Sequence, residues 1–199
     1  MLLHLVRHGQ PDVQPRLPAH EWRLAAQARR GMLALRQSGA LPSAATWSSS
    51  PEPKAMETAR FLTDCEIVTV ASFREQMRSA GWVETEIEYR TTVRKAFEDP
   101  QEPALPGWEP LDRTRERVTS AALRLVEKAP RSQLVAIGHG TAWTLLVSEL
   151  TGRAPDLDAW ETMLMPDHCV LDLNSRTVES AWGSWASARS VRRSDRRNR

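Results

Sequence analysis

The segment Leu2-Leu3-His4-Leu5-Val6-Arg7-His8-Gly9 is an almost uninterrupted apolar run that ends in an arginine and a histidine. A second run of this kind, Leu134-Val135-Ala136-Ile137, leads into Gly138-His139-Gly140. Apolar runs without polar alternation are typical of strands that are covered on both faces, as in a parallel sheet between two helical layers. Ligands bind at the carboxyl ends of such strands. The two segments therefore predict an α/β fold that brings His8 and His139 to one edge of a sheet.

The rest of the sequence divides into further strand-like and helix-like stretches. Besides the two runs above, the predicted strands are 44–47, 66–70, 169–173 and 177–181. The predicted helices are 21–37, 53–63, 111–128 and 141–150. Strands that alternate with helices predict a three-layer α/β/α sandwich with a central, mostly parallel sheet of about six strands. Residues 99–110 contain four prolines and are predicted to form a long loop.

Length and composition indicate a single soluble globular domain. The chain has 199 residues, of which 41% are hydrophobic and 26% charged, and its formal net charge is +2. Residues 1–188 are predicted to form the domain. Residues 189–199 hold six arginines and one aspartate and are predicted to be a basic, mobile C-terminal tail. A solvated extension is the simplest interpretation of this tail, so neither a nucleic acid nor a membrane is expected as a partner.

Cysteine usage and the N-terminal sequence bear on the cellular compartment. Cys65 and Cys169 stand in no Cys-x-x-Cys or Cys/His cluster, so neither a disulfide framework nor a structural zinc site is expected. The N-terminal apolar run lacks a basic leader. The longest apolar-rich stretch, 134–150, is interrupted by a Gly-His-Gly sequence and carries Glu149, so it is too short for a membrane span. We therefore expect a cytoplasmic protein.

A third predicted strand end adds to the two histidines. The strand 44–47 is followed by Ser48-Ser49-Ser50-Pro51 and then by a predicted helix that carries Lys54. The first turn of a helix has free backbone N–H groups, which bind anions. Cations and N–H donors at one edge of a sheet suit a phosphate dianion, which needs several of them at once. The sequence therefore predicts a site for phosphoryl transfer.

Four segments, in this order, resemble the motifs of the histidine phosphatase superfamily, also called phosphoglycerate-mutase-like. LVRHGQ (5–10) resembles the nucleophile motif, and SSPEPKAMETA (49–59) resembles the SSPxxRAxxTA segment. FREQ (73–76) resembles the acid-bearing segment, and AIGHGTA (136–142) resembles the second-histidine motif. The resemblance extends over residues 2–173 and implies a phosphoglycerate-mutase-like fold.

The resemblance also implies a metal-independent phosphatase that hydrolyses a phosphomonoester through a phosphohistidine intermediate. His8 would be the nucleophile, with a pKa lowered by adjacent positive charge. Arg7, Lys54 and His139 would surround the transferring phosphoryl oxygens. Glu75 would protonate the leaving oxygen and then activate the attacking water. The resemblance implies no cofactor and no metal ion, and the substrate would be a small phosphorylated metabolite or a phosphoprotein.

This chain departs from the family pattern at two places. Lys54 stands where the family has arginine, and an ammonium lacks the planar fork of a guanidinium, so weaker phosphate affinity is expected. Gly107-Trp108-Glu109-Pro110 stands where many relatives have a GGES-like sequence, which leaves the substrate preference open. Gln14 and Thr141, the latter through its backbone N–H, fall where relatives place further phosphate contacts.

Two other functions remain open at this stage. One is a phosphoglycerate-mutase-type phosphotransferase. In such an enzyme a bound alcohol, instead of water, would attack the phosphohistidine. The other is a non-catalytic phosphate-binding interaction module that keeps the pocket, with the chemistry weakened at Lys54 and Glu75. For the two residues themselves, the alternatives are that Lys54 is a solvated helix residue and that Glu75 is an exposed loop carboxylate.

Two side-chain patterns have alternative interpretations. His4 and His8 have the i,i+4 spacing of a helical zinc pair, but the segment favours a strand. Trp82 and Trp108 are candidates to contact an apolar or aromatic leaving group, with packing as the alternative.

Overall fold

The computed structural model describes residues 1–79, 83–129 and 133–187, so that Trp82 and the predicted tail 189–199 lie outside the described residues. A six-stranded sheet with the strand order β3-β2-β4-β1-β5-β6 lies at the centre of the described part. Its strands are β1 (Leu2–Arg7), β2 (Thr46–Ser49), β3 (Ile67–Thr69), β4 (Leu134–Gly138), β5 (Asp167–Asp172) and β6 (Thr177–Ser180).

Strand β1 lies inside the sheet and fixes the position of its histidine. It pairs in parallel with β4 and antiparallel with β5, and Arg7 lies opposite Gly138 on one side and Asp167 on the other. The backbone N–H of His8 donates to the carbonyl oxygen of Gly138 over 3.0 Å. Because β1 and β4 run in the same direction, His8 and His139 leave the sheet at the same edge.

Helices cover both faces of this sheet. Within the described residues the α-helices are α1 (Ala28–Arg36), α2 (Pro53–Leu62), α3 (Glu86–Glu98), α4 (Leu111–Lys128), α5 (Gly140–Thr151) and α6 (Leu157–Thr162). Leu5 faces the layer of α4 and α5, where Val118 and Trp143 belong to the same buried cluster. Val6 faces the layer of α1 and α2 and is buried with Leu35. Neighbouring strand residues thus enter opposite layers, which confirms the three-layer sandwich.

The structure confirms most of the predicted elements. All six predicted strands are present, with ends that differ by one or two residues, and the sheet is mixed but mostly parallel. The helices predicted at 53–63, 111–128 and 141–150 correspond to α2, α4 and α5. Residues 99–110 form a loop. None of the helices within the described ranges is long and apolar enough to cross a membrane.

The helix predicted over 21–37 is wrong in its first part. A 3₁₀ turn spans Ala19–Glu21, and α1 begins only at Ala28. Between them, the backbone bonds to other segments: the N–H of Ala25 donates to Gln10, and the carbonyl of Trp22 accepts the N–H of Lys54. A backbone that is used for these tertiary bonds cannot form i to i−4 helical bonds.

Two helices are missing from the sequence prediction. Helix α3 lies in a stretch for which no element was predicted, and its N-cap Thr85 accepts the backbone N–H of Glu88 over 3.1 Å. Thr-x-x-Glu is a capping-box pattern, so a signal for this helix was present in the sequence. Helix α6 has an equivalent cap, in which Asp156 accepts the N–H of Ala159.

Candidate active site

His8 follows β1 directly, and its imidazole is buried. Nδ1 lies 2.7 Å from the carbonyl oxygen of Gly9, and because a carbonyl oxygen only accepts, Nδ1 carries the proton. Burial lowers the pKa of this imidazole well below its usual value, and the neighbouring His139, Lys54 and Arg7 lower it further. The ring is therefore neutral, with its lone pair on Nε2, which is the state that a nucleophilic histidine needs.

His139 is the N-cap residue of α5 and is fully buried. Its ring meets the ring of His8 edge to face, with 5.1 Å between the ring centres. Nε2 lies 2.9 Å from the hydroxyl oxygen of Ser50 and 3.5 Å from Oε1 of Glu52. Burial and then the charge of Lys54 hold the pKa of His139 well below its usual value. Nδ1 is buried and has no hydrogen-bond partner in the described part of the chain, and such a group calls for an explanation.

Arg7 places a guanidinium next to the start of α5. Its Nη1 donates to the carbonyl oxygen of Met163 over 2.8 Å, whereas its buried Nε has no partner within the described ranges. A Cβ atom on Gly140 would lie 3.4 Å from this Nε, so the two residues are in close contact. Burial lowers the pKa of Arg7, while Tyr89 and Glu75 act in the opposite direction. Because a guanidinium stays charged in proteins, Arg7 contributes a positive charge at this edge of the sheet.

Lys54 is buried on α2, and its ammonium is bonded inside the protein. Nζ lies 2.6 Å from Oε2 of Glu52 and 2.6 Å from the carbonyl oxygen of Ala19. The other oxygen of Glu52 accepts the backbone N–H of Glu75 over 2.9 Å. Lys54 is therefore not a solvated residue, but part of its charge is compensated by a carboxylate that is itself only 2% exposed.

Sequence reasoning assigned no role to Glu52, because the family motif leaves that position unspecified. The available signal was Glu52-Pro53-Lys54, two opposite charges at the start of a predicted helix. A pair two residues apart does not share a helix face, so the spacing alone gives no reason to expect a bond. The ion pair forms because Glu52 precedes the helix, with an extended backbone, and Lys54 lies inside it.

Glu75 binds the first turn of α5 with its carboxylate. Oε2 accepts the backbone N–H of Thr141 over 3.1 Å, and Oε1 accepts that of Ala142 over 2.9 Å. The free N–H groups and the dipole of a helix N-terminus favour a negative charge there. Glu75 is thus fixed within one turn of His139, and it is not an exposed loop carboxylate.

Arg117 on α4 fixes the backbone that carries Glu75. Its Nη1 donates to the carbonyl oxygens of Ser72 and Arg74, and its Nη2 donates to that of Glu75, all over 2.8 Å. Glu109 in turn accepts from Nε and Nη2 of Arg117. The segment 72–75 is therefore bound to α4 by a single guanidinium with an acidic partner.

The two further phosphate contacts predicted from the resemblance remain predictions. Gln14 is exposed, and its amide donates to Asp12 over 2.9 Å. The backbone N–H of Thr141 donates to Glu75, as described above. The structure thus gathers most of the predicted site residues at one edge, namely Arg7, His8, Lys54, Glu75 and His139.

Metal-ligating side chains are not clustered around these residues. No group of three or more histidine, cysteine, aspartate or glutamate side chains within residues 1–79, 83–129 and 133–187 is arranged to hold a metal ion. His4 lies on a strand, and its Nδ1 is 3.0 Å from Nε2 of His168, while its Nε2 is 2.9 Å from the amide oxygen of Gln133. The helical zinc pair of His4 and His8 is therefore not formed.

The chain matches one protein family over most of its length. The family model of the histidine phosphatase superfamily (branch 1) matches residues 3–186. The chain belongs to the histidine phosphatase superfamily. This match spans all four motifs and confirms the resemblance seen in the sequence. A comparison with curated protein sequences gave no match.

Solved structures of phosphatases share the fold of this superfamily member. The alpha-ribazole phosphatase from Shigella flexneri has a TM-score of 0.70 at 17% identity, covering 93% of this chain and 97% of that one. A mutant phosphoserine phosphatase from Entamoeba histolytica, in complex with phosphoserine, has a TM-score of 0.73 at 15% identity, covering 92% and 97%. The mycobacterial glucosyl-3-phosphoglycerate phosphatase has a TM-score of 0.68 at 19% identity, covering 90% and 97%. At these identities the likeness shows the fold.

Trp108, which was a candidate to contact a leaving group, is a packing residue. It is 4% exposed and forms a buried cluster with Val93, Trp160 and Met163. The guanidinium carbon of Arg78 lies 4.5 Å from the centre of its ring. The packing alternative therefore describes Trp108.

Proposed function

We propose that this protein is a metal-independent phosphatase that hydrolyses a phosphomonoester through a phosphohistidine intermediate on His8. The observation that carries the proposal is the hydrogen bond from Nδ1 of His8 to the carbonyl oxygen of Gly9. This bond fixes the tautomer, and the lowered pKa of the ring keeps Nε2 unprotonated near neutral pH. A buried imidazole held in this way is a nucleophile that needs no separate general base.

Charged and N–H groups beside His8 would stabilise the phosphoryl group in the transition state. Arg7 has an unpartnered Nε within the described residues. With the Ser50 hydroxyl donating to Nε2 of His139, the proton of the neutral ring would lie on Nδ1, the atom without a partner in the described residues; a proton on Nε2 would instead face Ser50 and Glu52. Within the described part of the chain both donors are unpaired but buried, so a small rearrangement of the pocket would bring them into contact with phosphoryl oxygens. This positive and polar environment takes the role that a bound cation has in other phosphoryl-transfer enzymes.

The bond changes follow from these positions. Nε2 of His8 attacks phosphorus, the bond from phosphorus to the ester oxygen breaks, and Glu75 in its acid form gives a proton to that oxygen. A water molecule then attacks the phosphohistidine and gives a proton to the Glu75 carboxylate. The P–N bond breaks, its electron pair returns to Nε2, and inorganic phosphate leaves. The three backbone N–H groups that bind Glu75, those of Gln76, Thr141 and Ala142, hold the carboxylate ready for the second step.

The experiment is the hydrolysis of p-nitrophenyl phosphate in the presence of EDTA by the unaltered protein and by the His8→Ala variant. We expect turnover that resists the chelator and falls by more than about 10³-fold in the variant. His20→Ala is the matched control, because His20 is an exposed histidine outside the site. Alkaline quenching and intact-mass measurement should show one phosphoryl group on the unaltered protein and none on His8→Ala.

Four results would contradict the proposal. Turnover that EDTA abolishes would show metal-dependent chemistry, and turnover that survives in His8→Ala would show another nucleophile. Phosphate binding without any turnover would favour the interaction module. Phosphoryl transfer within one substrate, faster than release of phosphate, would favour the mutase.

A further inference from the structure

Asp167 is a buried carboxylate to which the proposed mechanism gives no role. It is the first residue of β5, and its side chain is fully buried. No lysine, arginine or histidine nitrogen in the described ranges lies within 4.0 Å of its oxygens. A buried charge of this kind is costly unless other polar groups bind it. The groups that bind Asp167 therefore indicate its role.

Four N–H groups of the described chain bind this carboxylate. Oδ2 accepts the backbone N–H of Leu164 over 2.8 Å. Oδ1 accepts the backbone N–H groups of His168 and Gly183, each over 2.8 Å. The same oxygen accepts the indole N–H of Trp185 over 2.9 Å. One side chain thus joins three segments, which are the loop before β5, β5 itself and the segment after β6.

The loop 163–166, between α6 and β5, also holds Arg7. Nη1 of Arg7 donates to the carbonyl oxygen of Met163 over 2.8 Å, and this is the one hydrogen bond of the guanidinium within the described residues. Asp167 closes the same loop, because it follows the loop in sequence and binds Leu164, the residue after Met163. The orientation of Arg7 therefore depends on a loop that Asp167 fixes.

The pairing of β1 with β5 places Asp167 beside Arg7. The two residues lie directly opposite each other, and opposed residues of neighbouring strands project from the same face of the sheet. Burial lowers the pKa of Arg7, whereas groups around it, Asp167 among them, raise it. Asp167 thus stabilises the charged guanidinium without an ion pair that would occupy its N–H groups. Lys54, in contrast, bonds directly to Glu52 over 2.6 Å.

From this geometry we propose that Asp167 is a positioning residue for Arg7, and that the segment 183–185 belongs to the same support. Asp167 holds the loop whose Met163 carbonyl orients the guanidinium, and the N–H groups of Gly183 and Trp185 hold Asp167 in turn. The inference rests on the proposed function, in that it takes Arg7 as a ligand of the phosphoryl group.

The first test is the substitution Asp167→Asn. An amide keeps the size of the side chain and one oxygen for the three donors on Oδ1, but its N–H2 group cannot accept the backbone N–H of Leu164. We expect kcat/KM for p-nitrophenyl phosphate to fall by about 10- to 100-fold, as for a small displacement of a catalytic group. Asp172→Asn is the matched control, because Asp172 lies at the other end of β5 and binds the N-terminal amino group. This control should keep the kcat/KM of the unaltered protein.

A double-mutant cycle with Arg7→Met separates positioning from a general contribution to the fold. If Asp167 acts through Arg7, Asp167→Asn should cause little further loss once the guanidinium is absent, so the two losses should not add. Trp185→Phe, which removes the indole N–H but keeps an apolar ring, should show a smaller loss that also disappears in the Arg7→Met background. The cycle is measured both as kcat/KM and, by isothermal titration, as the affinity for inorganic phosphate.

The outcomes separate this inference from the proposed function. Unchanged values in folded Asp167→Asn, or losses that add to that of Arg7→Met, would overturn the role of Asp167 and leave the phosphatase intact. Absence of turnover by the unaltered protein would contradict the phosphatase, and the cycle in phosphate affinity would still test Asp167. If Asp167→Asn does not fold, the comparison of Trp185→Phe in the two backgrounds decides: a loss that is the same in both backgrounds would overturn the inference.

Discussion

At the scale of single residues, the ion pair between Glu52 and Lys54 is the feature of the site that the sequence did not predict. A lysine in place of the family arginine suggested a weaker phosphate ligand. The structure adds a buried carboxylate 2.6 Å from the ammonium, so a phosphate bound as proposed would compete with Glu52 for the same cation. Glu52 also bonds to the backbone of Glu75, and it therefore couples the cation to the predicted acid.

We expect Glu52→Gln to bind inorganic phosphate more tightly, by about tenfold or more, because the substitution removes a negative charge from the pocket. Isothermal titration with phosphate measures this directly. Glu57→Gln serves as the control, since that carboxylate lies on α2, the helix that Glu52 caps, and pairs with the exposed Arg23 instead of Lys54. Unchanged or weaker phosphate binding by folded Glu52→Gln would show that Glu52 does not compete with the ligand.

The same substitution should destabilise the protein when phosphate is absent. Removal of one partner from a buried ion pair typically costs about 3–5 kcal/mol, because the other charge remains buried. Phosphate should therefore raise the melting temperature of Glu52→Gln more than that of the unaltered protein, and thermal unfolding with and without phosphate measures the difference. An equal shift in both proteins would contradict this expectation.

At the scale of elements, α4 positions the segment that presents Glu75. Three carbonyl oxygens of that segment accept from Arg117, so the placement of the predicted acid depends on this one residue of α4. Arg117 is a positioning residue, because it bonds to the backbone around Glu75 and not to the ring of His8.

We expect Arg117→Met to lower kcat by about 10²-fold with little change in KM, because a small displacement of a catalytic group is enough for such a loss. The loss should be larger for an alkyl phosphate than for p-nitrophenyl phosphate, whose leaving group needs less protonation. Arg113→Met, an exposed position on the same helix, is the control. Equal losses on both substrates would indicate general damage to the fold instead of a displaced acid.

At the scale of the whole molecule, four buried histidines make the folded state sensitive to acid. Burial lowers the pKa of His4, His8, His139 and His168. The pKa of His168 falls to about 3, because the neighbouring His4 lowers it further. In the unfolded chain each imidazole titrates near its usual value, about 6.5. Because the folded-state pKa values are lowered, this contribution to stability is complete above about pH 6.5 and is lost as the pH falls towards the folded values.

We expect the free energy of unfolding to fall as the pH is lowered from about 7.5 to about 5, by up to roughly 1.4 kcal/mol per pH unit for each buried neutral histidine. Urea titrations across this range measure the slope. His168→Gln keeps a polar partner for Nδ1 of His4 but does not titrate, so its slope should be smaller. The exposed variant His20→Ala should keep the original slope, and an identical slope in all three proteins would contradict the assignment.

The sequence determined the fold and the centre of the site because both depend on local patterns. Continuous apolar strands that end in Arg7-His8 and in Gly138-His139 are typical of a parallel sheet, and parallel pairing brings the two histidines to one edge. The bond between Glu52 and Lys54 depends on the backbone angle just before a helix, and the stacking of Arg78 on Trp108 depends on the contact between two loops. Neither follows from periodicity or from a motif. The segment 22–27 was misassigned for the same reason, since its backbone partners lie elsewhere in the chain.

The position of β1 between β4 and β5 has a consequence for how the protein is made. The ribosome synthesises β1 before either of its neighbours, and both neighbours come from the last third of the described chain. Until then, this apolar strand has no partner on either side, and unpaired apolar strands promote aggregation. The strand that precedes the proposed nucleophile should therefore remain unpaired until β4 and β5 have been synthesised.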